Sequence, residues 1–240
     1  MKLAFISDIH GNAVALEAVL ASIKEKEVDN IVVLGDIAYR GPEPKRSIKL
    51  IQDLNTTVIK GNADEWIVRG VKQGEVPEQA RNLMNQEREW TVSQLDQSAL
   101  NYLETLPTNL NLTKQGIHMH AFHATPTSLF DVVLPDATND EIREKIINKY
   151  NADIYLYGHI HQSYIRNIDG KTIINLGSVG LPFDGIPKAS YAIVEITDGS
   201  ISTSIERVTY DIEKTIQAYK EANYPNTAMM EQILRTAKNG

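Results

Sequence analysis

The stretch KLAFISDIHGNAVALEAVLASIKEKEVDNIVVLGD, residues 2–36, decides the fold. KLAFIS (2–7) is short, apolar and closed by polar residues, the pattern of a buried strand. Residues 12–27 then take up helical period, with Val14, Leu16, Val19, Leu20 and Ile23 on one side. NIVVLG (30–35) returns to a buried strand. The alternation continues outward: PEPKRSIKLIQDL (42–54) reads as a helix with proline at its start, where a missing N–H costs nothing, and TTVIKG (56–61) as a third strand. Strand, helix, strand, helix, strand predicts a parallel, right-handed α/β arrangement.

Residues 65–115 break the rhythm. They are polar, follow helical spacing and hold no convincing strand, so they are expected to form a helical insert or cap rather than an independent domain. Strands resume at GIHMHAFHA (116–124) and ADIYLYG (152–158), with a helix over 139–150 between them. Two hairpins follow, turning at Asp169-Gly170 and Asp198-Gly199. The expected organisation is a core over 1–210 and a C-terminal tail over 211–240, packed on the core as two helices broken at Pro225.

At 240 residues the chain is long enough to bury a substantial core. With 24 Lys and Arg against 31 Asp and Glu, its formal charge is −7, and no basic cluster interrupts the acidic balance. General nucleic-acid binding and attraction to anionic membranes are therefore not expected. A phosphorylated substrate would need local attraction, most simply from a bound cation. There is no cysteine, which excludes disulfides, thiolate nucleophiles and thiolate zinc sites. The N-terminal apolar run fits a first core strand rather than a signal peptide, and no stretch approaches membrane-spanning length, so a cytoplasmic protein is expected.

Polar residues collect at the C-terminal tips of the predicted strands. Asp8 and His10 follow the first, Asp36 the second, Asn62 the third, His123 the fourth, and His159 and His161 the fifth. In an open α/β sheet that edge is where ligands bind. An Asp after a strand is commonly a turn or capping residue, and a single His is commonly structural. Five strand tips all ending in oxygen or imidazole donors is a different observation. Carboxylate, imidazole and amide donors without thiolate suit Mn, Fe, Co, Ni or Zn. Seven donors exceed what one such ion takes, but fit two ions sharing a carboxylate, an arrangement that clamps in-line displacement at phosphorus.

The blocks DIHGN, GDIAYRG, GN, a His after an apolar strand, and GHIHQ resemble the calcineurin-like metallophosphoesterase family in order and spacing from residue 8 to residue 161. The segment INLGSVGLPFDGIPKASYAIVE (174–195) is similar to its bacterial small-phosphodiesterase and dinucleotide-polyphosphatase-like branch. The resemblance implies a two-sheet αββα sandwich with a helical insert. It implies that Asp8, His10 and His161 hold one divalent metal, that Asn62, His123 and His159 hold another, and that Asp36 bridges. Manganese is the first expectation, with Fe, Zn, Ni or Co as alternatives. The implied activity is hydrolysis of a small phosphorylated substrate, a phosphodiester or phosphoanhydride, by in-line attack of a metal-bound hydroxide. A phosphomonoesterase and a non-catalytic interaction scaffold are the competing readings. Oligomeric state is left open.

One departure stands out. Many relatives carry a His directly after Gly-Asn, assigned as leaving-group acid or phosphate contact; this chain has Ala63 there, followed by Asp64. Arg40 falls where the protein-phosphatase branch has a phosphate-contacting arginine, and is a candidate for that role. His118 and His120 alternate along one strand and share a face, and His120 is a candidate to replace the absent acid. Tyr39, Ser178, Phe183 and Asp184 lie in segments expected to border the cleft.

Overall fold

A computed structural model describes residues 1–238. Strand β1 (Lys2–Ile6) runs at the centre of a five-stranded sheet and is buried on both faces, which is why its sequence is apolar at successive positions. Leu3 and Phe5 point into the space between two sheets, while Ala4 and Ile6 lie under helix α1 (Ala13–Glu25). Asn12 caps α1, its side-chain oxygen accepting from the Ala15 N–H at 3.1 Å. β2 (Asn30–Val33) and β3 (Thr57–Val58) extend the sheet in parallel beyond α2 (Pro44–Asp53). β9 (Ala189–Thr197) and β10 (Ser200–Val208) complete it on the other side, antiparallel, in the order β10-β9-β1-β2-β3.

The second sheet has the order β4-β5-β6-β8-β7. Its parallel core is β5 (Ile117–Phe122), β6 (Ile154–Tyr157) and β8 (Lys171–Asn175), with β4 (Asn109–Lys114) and β7 (Tyr164–Ile168) antiparallel at the edges. The sheets face one another across Phe5, Leu34, Met119, Leu156, Leu176 and Val194. The outer face of the first is covered by α1 and α2. Phe122, Tyr155 and Tyr157 on the outer face of the second pack against Ile142 of α6 (Asn139–Lys145). The result is a four-layered α/β sandwich of two mixed sheets flanked by helices.

Two expectations are corrected. Residues 65–115 are not helical throughout. After α3 (Asn62–Arg69), α4 (Glu78–Ser93) and α5 (Gln97–Thr105) they end in strand β4, which pairs with β5 over its whole length. NLNLTK alternates properly, Leu110 and Leu112 facing the inter-sheet core, but asparagine is a poor strand residue and masks the pattern. The hairpin turns at Gln115 (φ +49°) and Gly116 (φ +81°), a two-residue turn of positive φ made without the Asn-Gly or Asp-Gly that announces one. The helix expected over 139–150 also stops early, at Lys145, before a short 3-10 turn over Ile147–Lys149. At the C-terminus, α7 (Ile212–Glu221) and α8 (Thr227–Thr236) flank Pro225 and pack around Leu181, Trp90 and Phe183.

Candidate metal centre

Every parallel strand of both sheets ends at the same edge, and the polar residues that follow them meet there. Asp8 Oδ1, His10 Nε2, Asp36 and His161 offer donor atoms that all lie within 4.8 Å of one another. His10 Nε2 is 3.1 Å from His161 Nε2 and 3.5 Å from Asp36 Oδ2, and His161 Nε2 is 3.1 Å from Asp8 Oδ1. On the other side of Asp36, its Oδ2 lies 3.4 Å from His123 Nε2. His123 Nε2 and His159 Nδ1 each lie 2.8 Å from Asn62 Oδ1. The structure thus brings all seven strand-tip residues together, in two groups that meet at Asp36.

Backbone carbonyls hold the imidazoles. The Nδ1–H groups of His10, His123 and His161 donate to Tyr39 O, Leu34 O and Leu181 O at 2.8, 2.7 and 2.5 Å. That fixes the tautomer and turns each Nε2 inward. His159 is turned the other way, with Nδ1 toward Asn62. Six residues of these loops are held at positive φ without being glycine: Asp8 (+57°), His10 (+48°), Asp36 (+56°), Arg40 (+65°), His159 (+69°) and His161 (+57°). Each such conformation costs roughly 1–3 kcal/mol and persists only where the surroundings impose it. Glycines let the loops come this close. A Cβ on Gly61 would sit 2.0 Å from Asp36 Oδ1, and one on Gly158 would sit 2.3 Å from Asp8 Oδ2.

Asp36 is aimed by its neighbour in space. Asp64 Oδ2 accepts from the N–H groups of Gly61 (2.9 Å) and Asp36 (2.8 Å), and Oδ1 from that of Ile37 (2.9 Å). Asp36 Oδ1 in turn accepts from the Ala63 N–H at 2.8 Å, which leaves Oδ2 to face both groups of donors. Burial would raise the Asp36 carboxyl, but His123 beside it holds it well below the usual carboxylate range. Asp8 is likewise held down, against burial, by His161 and His123. Burial, then His161, pushes His10 down to about 4; burial, then His123, does the same to His159. His123 is lowered by burial, but Asp36 overrides this and lifts it to about 10. Burial and the Asp36 charge push Asp64 up to about 7.

A cation fits this set. Asp8 Oδ1 is buried, charged and without a hydrogen-bond partner, a costly state for an isolated carboxylate oxygen. Nitrogen and oxygen donors without sulfur suit first-row divalent ions.

The other candidates are not among the donor atoms of this cluster. His120 lies on the outer face of β5, its ring 4.6 Å from Tyr150 and 5.2 Å from Phe122, and it is not brought to the cluster. Period two put it on the helix-covered face of the sheet, away from the strand tip. His118, on the same strand, is exposed and meets Thr113 Oγ1 at 3.0 Å. Arg40 Nε lies 3.3 Å from Glu87 Oε2, and its NH2 faces Met230 Sδ. Ser178 donates to Asp8 O at 2.7 Å, a positioning contact, and Asp184 pairs with Arg207. Phe183 stacks on the His161 ring at 4.4 Å. Sequence reading passed over the backbone carbonyls that fix the histidines, which no residue type can signal. It also missed Val132 and Leu134, exposed beside His159, although VVLP (132–135) is an apolar run in a loop and was readable as such.

Residues 1–199 match the calcineurin-like phosphoesterase superfamily domain. The chain belongs to that superfamily. A calcineurin-like phosphoesterase is a metal-dependent hydrolase of phosphoric esters, and its family uses divalent metals. The chain is 31% identical to an uncharacterized protein of Methanocaldococcus jannaschii, over 93% of both chains. It is 27% identical to the phosphodiesterase YfcE of Escherichia coli strain K12, over 81% of this chain and 88% of that one. A metallophosphoesterase of Sphaerobacter thermophilus superposes with a TM-score of 0.78 at 28% identity, covering 99% of each chain. No helix among the described residues of this phosphoesterase is long and apolar enough to cross a membrane.

Proposed function

We propose that the chain is a binuclear phosphoesterase that hydrolyses a phosphodiester or phosphoanhydride of a small substrate. The observation that carries this is the sharing of Asp36: one carboxylate oxygen stands 3.5 Å from His10 Nε2 on one side and 3.4 Å from His123 Nε2 on the other. Asp8, His10 and His161 would hold one divalent ion, Asn62, His123 and His159 the second, with Asp36 between them. Mn, Fe, Co, Ni and Zn all suit the donors. When bound, two such ions supply charge neutralisation on the phosphoryl oxygens and acidify a bound water.

The chain's own residues set the rest. The carbonyl-anchored imidazoles and the Asp64 clamp keep the donors in place before substrate arrives, so little reorganisation remains for the reaction. In the hydrolysis a water oxygen bonds to phosphorus, releasing a proton to solvent, as the P–O bond to the leaving oxygen breaks in line with it. Ala63 has no proton to give the leaving oxygen and His120 is turned away from it, so solvent is the expected proton source. The name of the E. coli relative favours a diester. The monoesterase reading rested on Arg40, whose guanidinium is engaged by Glu87.

The test is a metal-by-substrate screen on chelator-stripped protein, comparing bis(p-nitrophenyl) phosphate with p-nitrophenyl phosphate and using Asp36→Asn as the blank. Turnover of the diester restored by one of these ions, and reduced on the order of 10²–10³-fold in the blank, is expected. Turnover with no ion, or turnover undiminished by Asp36→Asn, would sink the reading.

A further inference from the structure

Beside His159 the metal edge opens into a cavity of about 530 Å³. That is the size of a small-molecule site. Its lining divides by chemistry. Val132, Leu134, Ile160 and Phe183 are apolar, Gln162 is polar and uncharged, and among the described lining residues Lys238 alone carries a formal charge. In a chain of net charge −7, a positive group on a cleft beside a candidate cation centre draws anions to it.

The apolar lining is held outward by the backbone. Val133 is buried and its carbonyl accepts from the Tyr157 hydroxyl at 2.8 Å, so its neighbours Val132 and Leu134 face out, 50% and 43% exposed. Phe183 continues the wall directly from His161, on whose ring it stacks. Lys238 is delivered from the C-terminal segment. Ala237, fully buried and at φ +50°, ends α8, and its carbonyl accepts from the Gly185 N–H at 2.9 Å. That bond ties the chain end to the segment carrying Phe183 and sets Lys238 at the rim. None of residues 65–115 lines this cleft.

We propose that this cleft selects the substrate. It takes the part of the ester that is not expelled, and prefers one with a flat apolar body and a second negative charge, which Lys238 grips. The assignment rests on the phosphoesterase reading above. Apolar walls favour an aromatic ring, Gln162 offers a donor and an acceptor to its polar edge, and the lysine ammonium pairs with a phosphate or carboxylate. Lys238 is thus a specificity residue, not a catalytic one.

Two esters isolate its effect: thymidine 5′-(p-nitrophenyl phosphate) with and without a 3′-phosphate. They share the bond broken and the leaving group, and differ only in the second anion. Wild-type protein is expected to favour the 3′-phosphorylated ester about tenfold in kcat/KM, the size of one charge-assisted contact. Lys238→Ala should remove that preference through KM rather than kcat, and Lys238→Arg should restore it. Leu134→Ser should raise KM for both thymidine esters. A wild type indifferent to the 3′-phosphate, or a preference that survives Lys238→Ala, overturns the proposal. So does a Leu134→Ser variant that alters only the mass in solution, since the apolar face would then be covered by a second copy. If no ester is cleaved with any ion, it is the phosphoesterase reading that fails. Titration of metal-free protein with thymidine 3′,5′-bisphosphate then decides the cleft, equal affinity in wild type and Lys238→Ala counting against it.

Discussion

Asp64 shows how much one side chain at this edge does without touching substrate. Its carboxylate satisfies three buried N–H groups from two loops, including that of Asp36 itself. Asp64→Ala leaves all three without a partner, and a loss of about 1–3 kcal/mol is expected by urea unfolding, together with weaker metal uptake by calorimetry. Unchanged stability would mean that water replaces the carboxylate at no cost. Ala63 is informative through what it lacks. General acid assistance is typically worth about 10²–10⁴-fold, and substrates with poor leaving groups need it most. Aryl esters and anhydrides are expected to turn over at least 10²-fold faster than matched alkyl esters. Comparable rates for p-nitrophenyl and simple alkyl esters would show that another group donates. The seven strand-tip residues were legible in the sequence because oxygen and imidazole donors recur within four residues of the ends of five strands. Lys238 was not, since a lysine near a chain end looks the same whether or not it borders a cleft.

At the scale of elements, the α3–α4 connection is closed by charge. Glu75 accepts from the Arg69 guanidinium, the Trp66 indole N–H at 3.0 Å and the Lys72 N–H at 2.9 Å. Burial alone would raise its carboxyl; Arg69 and the two N–H donors hold it below its ordinary value of 4.5. A depressed carboxyl stabilises the fold above that ordinary value, and the contribution fades as pH falls through the folded one. Glu75→Gln is therefore expected to cost about 1 kcal/mol at pH 7, with the gap to wild type narrowing in acid. An equal gap at pH 7 and pH 3 would assign the effect to shape rather than charge. Periodicity made the parallel strands readable, and the hairpins at Asp169-Gly170 and Asp198-Gly199 turn at positive φ as their sequences announce. β4 was hidden because its exposed face is asparagine and threonine and its turn residue is glutamine, so tertiary pairing with β5 supplies what local preference does not.

Over the whole molecule, the C-terminal helices and α4 converge on the strand-tip loops at Arg40. Its guanidinium meets Glu87 of α4, its carbonyl accepts from Tyr219 of α7 at 2.6 Å, and Met230 of α8 packs beside it. Glu87 is almost fully buried and also accepts from Asn226 at 3.2 Å. Removing one partner strands the other in the interior. Arg40→Met or Glu87→Met alone is expected to cost about 3–5 kcal/mol, and the double variant less than the sum of the two. Additive losses in chemical denaturation would mean that the two charges do not depend on each other. No pattern in the sequence pairs residue 40 with residue 87, because their meeting depends on how three helices stack.

Hydrogen bonds lace the two sheets together at the edge where their parallel strands end. The His123 ring on one sheet is hooked to the Leu34 carbonyl on the other, and the His159 amide reaches across to Asp8. A cation seated among these residues would act as the clasp of a book hinged along its apolar spine. Stripping it should let the covers part at the clasp first. Amide deuteration would then quicken at Asp8 and His159, whose N–H groups are bonded at this edge, while the middle of β1 stays protected.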